Sequence, residues 1–172
     1  RPDLAVRDLK LINDMGFGWV KQGFAWRDIE TNEKGKFDWW KADTIVQQVE
    51  DADLNLIVRL DHQPFWSQTD PENPLENAPP ADLQDFADYC GEVATRYQGR
   101  IGAYQVWNEP NLRREWGEQV PDPAAYTELL RVCYQAIKAA DPQAIVISAG
   151  LAPTGQTPPI AIPDNDFLQG MY

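Results

Sequence analysis

Arg100–Leu112 reads RIGAYQVWNEPNL, and the fold turns on how this stretch is read. Ile101 to Trp107 is apolar apart from Gln105 and carries branched and aromatic side chains, the pattern of a short strand buried on both faces. Asn108 and Glu109 follow at once, and Pro110, which has no amide to donate, stops further pairing. A carboxylic acid and a side-chain amide therefore stand where a buried strand runs out, a place where sheets and barrels commonly mount catalytic groups. A buried carboxyl group resists ionisation and can serve as a general acid, while an amide offers donors and an acceptor to a hydroxyl. On this short motif alone, a surface acid and a turn asparagine would look the same. Side chains alternate along a regular strand, so Asn108 and Glu109 can share one site only if pairing ends, or a bulge begins, at about Asn108.

Upstream, Leu4/Ala5, Leu9, Ile12 and Met15 predict a helix over residues 3–15, ended by Gly16. Residues 17–24 read as a strand, Ala25 to Glu30 as a loop, and Gly35 as a turn. A helix over about 39–52 leads to a second buried strand, 54–60. Asp61 to Trp66 then opens a segment rich in Pro, Asn and Glu that runs to Pro80. It is longer than most connections, so it is either a binding loop or a mobile one. A helix over about 81–97, closed by Gly99, returns to the opening stretch. Downstream come a helix over about 123–140, a strand over 144–149, prolines after Gly150, and a tail from Phe167 to Tyr172 that begins another helix.

Helices alternating with buried strands at this pitch imply an α/β fold with a parallel sheet wrapped by helices. Trp26/Arg27, His62/Trp66, Asn108/Glu109 and the loop after Gly150 all follow strands, which describes the mouth of a (β/α)8 barrel. A doubly wound sheet is the main alternative, but no glycine-rich phosphate loop follows any strand and GxGxxG is absent.

Length and composition are those of one domain with a real core: 172 residues, 43% of them apolar. The net charge of −12, from 27 acids against 15 bases without a basic cluster, argues against nucleic acid or an anionic membrane as partner. No apolar run approaches the ~20 residues of a membrane span. No signal sequence is visible, which carries little weight in a chain that begins without Met and mid-pattern. Cellular location is therefore open, with an extracellular setting preferred. Cys90 and Cys133 each fall on the apolar face of a helix and read as two buried thiols, with a disulfide open to them only if those helices are neighbours. One His and two distant Cys cannot supply a zinc site, and no cofactor is called for.

With these residues in place the chain resembles the clan A glycoside hydrolases, (β/α)8 retaining glycosidases of the cellulase-like and β-xylosidase-like kind. WRDIETNEKGKFDWW is similar to the clan's passage from strand 2 into helix 2, VRLDHQPFW to its strand 3 exit, YQVWNEPN to its strand 4 end and ISAGLAPTG to strand 5. The resemblance implies that Glu109 is the acid/base and that Asn108 holds the sugar hydroxyl next to the reacting carbon. It also implies that strand 1 lies before Arg1 and strands 6 to 8 after Tyr172, so that residues 1–172 form part of a barrel domain. Retaining cleavage needs a second carboxylate ~5 Å from the first. In the clan that nucleophile is a Glu ending strand 7, and no Glu here matches it; Glu30, Glu115 and Glu118 lie in loops.

The other expected substrate contacts are His62, Trp66, Trp26 and Arg27. His62, the sole histidine, either binds sugar, as a strand 3 His does in some clan members, or bonds within its loop. Trp26 and Trp66, at strand exits, are the expected stacking platforms among seven tryptophans. Trp19, Trp39 and Trp40 suit helix–sheet packing, and Trp107 suits a place beneath the Asn-Glu pair. The expected partner is a carbohydrate. A pseudoenzyme that grips sugar without cleaving it, or a half-barrel that pairs with itself through open sheet edges, would share most of these features.

Overall fold

The computed structural model describes residues 2–172. Helix α1 (Pro2–Asp14) precedes strand β1 (Trp19–Ala25), which runs straight into the short helix α2 (Trp26–Ile29) where the sequence suggested a loop. Then come α3 (Trp40–Asp51), β2 (Asn55–Asp61), α4 (Leu83–Arg96), β3 (Ala103–Val106), α5 (Pro123–Ala140), β4 (Ile145–Ile147) and α6 (Asp164–Gly170). The strands form one sheet in the order β1-β2-β3-β4, and every neighbouring pair is parallel. The α/β expectation, with strands and helices in alternation, holds.

The helices begin where chemistry allows. Asp82 caps α4 by accepting from the Gln84 amide at 2.8 Å, and Asp122 caps α5 by accepting from Ala124 and Ala125. Pro123, at the first turn of α5, loses no bond there. Tyr126, Leu129, Cys133 and Ile137 bury one stripe of α5; Phe86, Tyr89, Cys90, Val93 and Ala94 bury one of α4. The stripes meet, and Cys90 and Cys133 are joined by a disulfide with Cα atoms 5.5 Å apart. That corrects the expectation of two separate thiols: helix adjacency, invisible in sequence, brings the sulfurs together.

The helices cover one face of the sheet. Leu56, Val58 and Leu60 of β2 and Tyr104 and Val106 of β3 point into that core and are fully buried. Their alternates Ile57 and Arg59 are half-buried, Lys21 is exposed, and Ile145 and Ile147 of β4 are exposed. Only β3 is buried throughout, so the reading of two-sided burial holds for β3 and not for β1, β2 or β4. Trp19 and Trp40 depart from the packing expected of them, remaining 47% and 75% exposed. Trp39 does pack, stacking on Phe37 with centroids 5.1 Å apart beneath the Arg96 guanidinium.

The long segment after β2 is tied down. Gln68 exchanges bonds with the Leu75 backbone, Gln63 donates to the Leu75 carbonyl, and Asn77 donates to Glu115 at 2.8 Å. Gly117, at φ +63°, lets Ala78 approach; a Cβ there would stand 2.6 Å from the Ala78 Cα.

Candidate functional site at the strand exits

Each parallel strand ends at the same rim, and backbone bonds stitch the exits together. The Arg27 amide donates to the His62 carbonyl at 2.9 Å, the Trp107 amide to Leu60 at 2.9 Å, and the Glu109 amide to Gly150 at 3.0 Å. The exits of all four strands are thereby joined. Two buried tyrosines pin them from below. The Tyr89 hydroxyl donates to the Phe24 carbonyl, and that of Tyr126 donates to Val106 while accepting from the Ala149 amide. Burial holds both phenols protonated, above the ordinary tyrosine range. That the Tyr126 hydroxyl joins two strand ends is a tertiary fact.

Regular pairing stops where the sequence required. β3 ends at Val106, and Trp107 and Glu109 take left-handed backbone angles, φ 69° and 45°. Such angles cost a side-chain-bearing residue roughly 1–2 kcal/mol each, and strain of this kind gathers at functional sites. The Trp107 indole N–H donates to the Glu115 carbonyl, and its ring is buried against Phe86 and Trp116. The turn breaks the alternation that would otherwise send Asn108 and Glu109 to opposite faces.

Glu109 leaves its side chain 34% exposed, with an Arg114 Nη2 3.5 Å from the carboxylate; Arg114 also reaches Glu115 at 3.6 Å. Asn108 is half-buried, and its side chain makes no hydrogen bond among the described residues. Asn111, which the sequence reading passed over although it closes the same motif, is fully buried. It donates to the Ala152 and Ile162 carbonyls and accepts from the Ala152 amide, anchoring the β4 loop beside Glu109.

At the neighbouring exit, His62 is also left-handed, φ 55°, with Nδ1 2.7 Å from Oδ1 of the buried Asp61; Arg59 lies 2.6 Å from the other oxygen. Arg27, 28% exposed, is held by Glu76 at 2.6 Å. Trp66 is half-buried and donates to the Glu30 carbonyl at 3.0 Å. Trp26 does not fit the platform expected of it. It is 0% exposed, stacked on Tyr89 with centroids 5.5 Å apart and edged by Trp66, leaving no face for a sugar ring. Its indole N–H donates to the buried carboxylate of Glu30, which also accepts from the Gly35 amide. Glu30 is thus a structural acid, and Glu115 and Glu118 lie against Asn77 and Arg113. Among the described residues no cluster of His, Cys, Asp and Glu could hold a metal ion, and no helix is long and apolar enough to cross a membrane.

A family model described as cellulase, glycosyl hydrolase family 5, matches residues 6–168. The chain belongs to this family. Solved structures agree on the fold, a partial (β/α)8 barrel. A family 39 glycoside hydrolase from the gut symbiont Bacteroides cellulosilyticus WH2 superimposes with a TM-score of 0.68 at 22% identity, over 85% of this chain and 29% of that one. Cel5A of Thermotoga maritima, solved with a mannotriose substrate, gives 0.62 at 16% identity, over 92% and 49%. A glucosidase from Croceicoccus marinus gives 0.64 at 14% identity, over 87% and 34%. The family 5 chain thus spans 29–49% of the length of these structures. No functionally curated protein matches it.

Proposed function

We propose that this chain carries the acid/base side of a retaining O-glycosidase acting on oligo- or polysaccharides. Glu109 is the acid/base, Asn108 holds a substrate hydroxyl, and the nucleophilic carboxylate lies outside these 172 residues. The observation that carries this reading is the break in β3 pairing, with Trp107 and Glu109 left-handed on either side of Asn108. Family membership supports the reaction class. Within the proposal the four strands are barrel strands 2 to 5, further strands cover the bare sheet face, and the isolated chain is inactive. His62, Trp66 and Arg27 line the sugar side of the mouth. The buried disulfide supports a location outside the cytosol, since such bonds persist in oxidising surroundings.

In such a mechanism Glu109 protonates the leaving oxygen and then activates the water that releases the glycosyl intermediate. The test compares the complete protein, its Glu109→Gln form and this chain on an activated aryl glycoside and an unactivated one. Glu109→Gln should lose about 10²–10⁴-fold on the unactivated substrate and far less in the glycosylation step on the activated one. Azide should restore turnover of the latter. Equal losses without azide rescue would remove Glu109 from the role, and turnover by the isolated chain would place a nucleophile within it.

A further inference from the structure

We propose that the groove between residues 112–118 and 156–160 binds a uronic acid, with Arg113 gripping its carboxylate. That the acid is a sugar, and that it belongs to the leaving group, rests on the glycosidase reading above; the carboxylate does not.

The groove lies beside Glu109 and encloses about 310 Å³, within the range of small-ligand sites. One wall is the turn after β3, and the other is the loop after β4. The two are pinned together before any ligand arrives. Leu112 pairs with Ala161 in an antiparallel bridge, and the Arg113 amide donates to the Ile160 carbonyl at 3.0 Å. The buried Asn111 side chain adds bonds across the same seam, to Ala152 and Ile162. A groove formed in advance spares its ligand the cost of ordering it.

The lining is basic where the chain is acidic. Two arginines and one glutamate line the groove, against 15 bases and 27 acids in the whole chain. Arg113 donates through Nε to the Glu118 carbonyl at 2.9 Å, with a Glu118 carboxylate oxygen 3.3 Å away. That bond orients the guanidinium, whose two Nη nitrogens make no hydrogen bond among the described residues. A neutral hydroxyl meets one such donor; a carboxylate meets both and brings the opposite charge. Arg114 is held loosely, 3.5 Å from Glu109 and 3.6 Å from Glu115, and at 70% exposure it is free to swing to the same ligand. Ile160, 53% exposed, supplies apolar surface for the C–H face of a ring. Because Arg114 touches the proposed acid, a ligand here lies on the side of the bond whose oxygen Glu109 protonates.

The probes are methyl glucuronide, methyl glucoside and inorganic sulfate, titrated into this chain at low salt. Dissociation constants are read from ¹⁵N and proton shifts, the arginine Nε–H signals included. The glucuronide should bind roughly tenfold more tightly than the glucoside, the scale of one charge-assisted hydrogen-bonded pair. Arg113→Gln should remove that advantage, and Arg113→Lys should keep part of it, having the charge without the fork. Equal affinity for the two sugars, sulfate binding as tight as the glucuronide, or an advantage that survives Arg113→Gln would each overturn the proposal. The first two comparisons use the wild-type chain, so they decide the matter even where a variant does not fold. No turnover enters the measurement, so a failure here is distinct from a failure of the Glu109→Gln assay.

Discussion

On the face of the sheet turned to the helices, Leu56, Val58, Leu60, Tyr104 and Val106 are exposed by 2% or less. On the other, Trp19, Ile145 and Ile147 keep 37% or more of their surface, and Lys21 and Arg59 bring charge. Parallel sheets are ordinarily covered on both sides, so the contrast separates two tasks. The covered face supplies the apolar burial that holds the strands in register. The open face and its rim carry charge, polar groups and backbone at positive φ, which contribute little to the stability of this chain and, in the function proposed above, surround the reaction. Substitutions should therefore divide by face, and each of the following can break or sharpen that division.

Trp26→Ala strikes the covered side hardest. It empties a fully buried site among Tyr89, Phe86 and Trp66 and strips the buried Glu30 carboxylate of its indole donor. The cost should reach about 5 kcal/mol, the upper end for a buried tryptophan. Chemical denaturation measures it, and a loss below about 2 kcal/mol would deny the aromatic cluster its structural role.

Replacing Cys90 and Cys133 together by Ser opens a bridge between residues 43 apart in sequence. Loop-closure entropy sets the loss at about 4 kcal/mol. Denaturant midpoints of the oxidised chain and the double variant give the number directly.

Removing the α5 cap by Asp122→Ala should cost about 1 kcal/mol, since Ala124 and Ala125 then lose their acceptor. Unfolding midpoints at constant slope read this loss.

Asp43 gives a smaller effect with a pH signature. The Arg96 guanidinium, acting against burial and helped by the Tyr97 hydroxyl, holds the Asp43 carboxyl below the ordinary aspartate range. A depressed value stabilises the fold above the unfolded value, near pH ~4, and that contribution disappears as pH falls through the lower folded value. Asp43 is 43% exposed, so the contribution stays below about 1 kcal/mol. The difference between wild type and Asp43→Asn should be constant at neutral pH and shrink below about pH 4. A difference that grows towards acid would reverse the assignment.

Smallest of all, Ile147→Ala on the open face should change stability by no more than about 0.5 kcal/mol. A loss comparable to a core substitution would mean that this face is covered in solution. Open parallel edges at β1 and β4 make self-association the first thing to examine by light scattering.

The sequence by itself determined the order of elements, because helical and strand periodicities are local and here rarely conflict. It also placed the end of β3 pairing near Asn108, since Pro110 lacks a donor and alternation forbids two adjacent residues from sharing a face. Which tryptophan is structural, which helices are neighbours and which acids are already engaged lay beyond it. Trp26 looks like a platform in sequence because it follows a strand, yet α2 turns it inward onto Tyr89. Cys90 and Cys133 are joined because α4 and α5 lie side by side. Glu30 is engaged by an indole four residues before it and an amide five after. Local pattern fixes what a segment can become; burial and partner choice depend on contacts between distant segments, which only the packed chain decides.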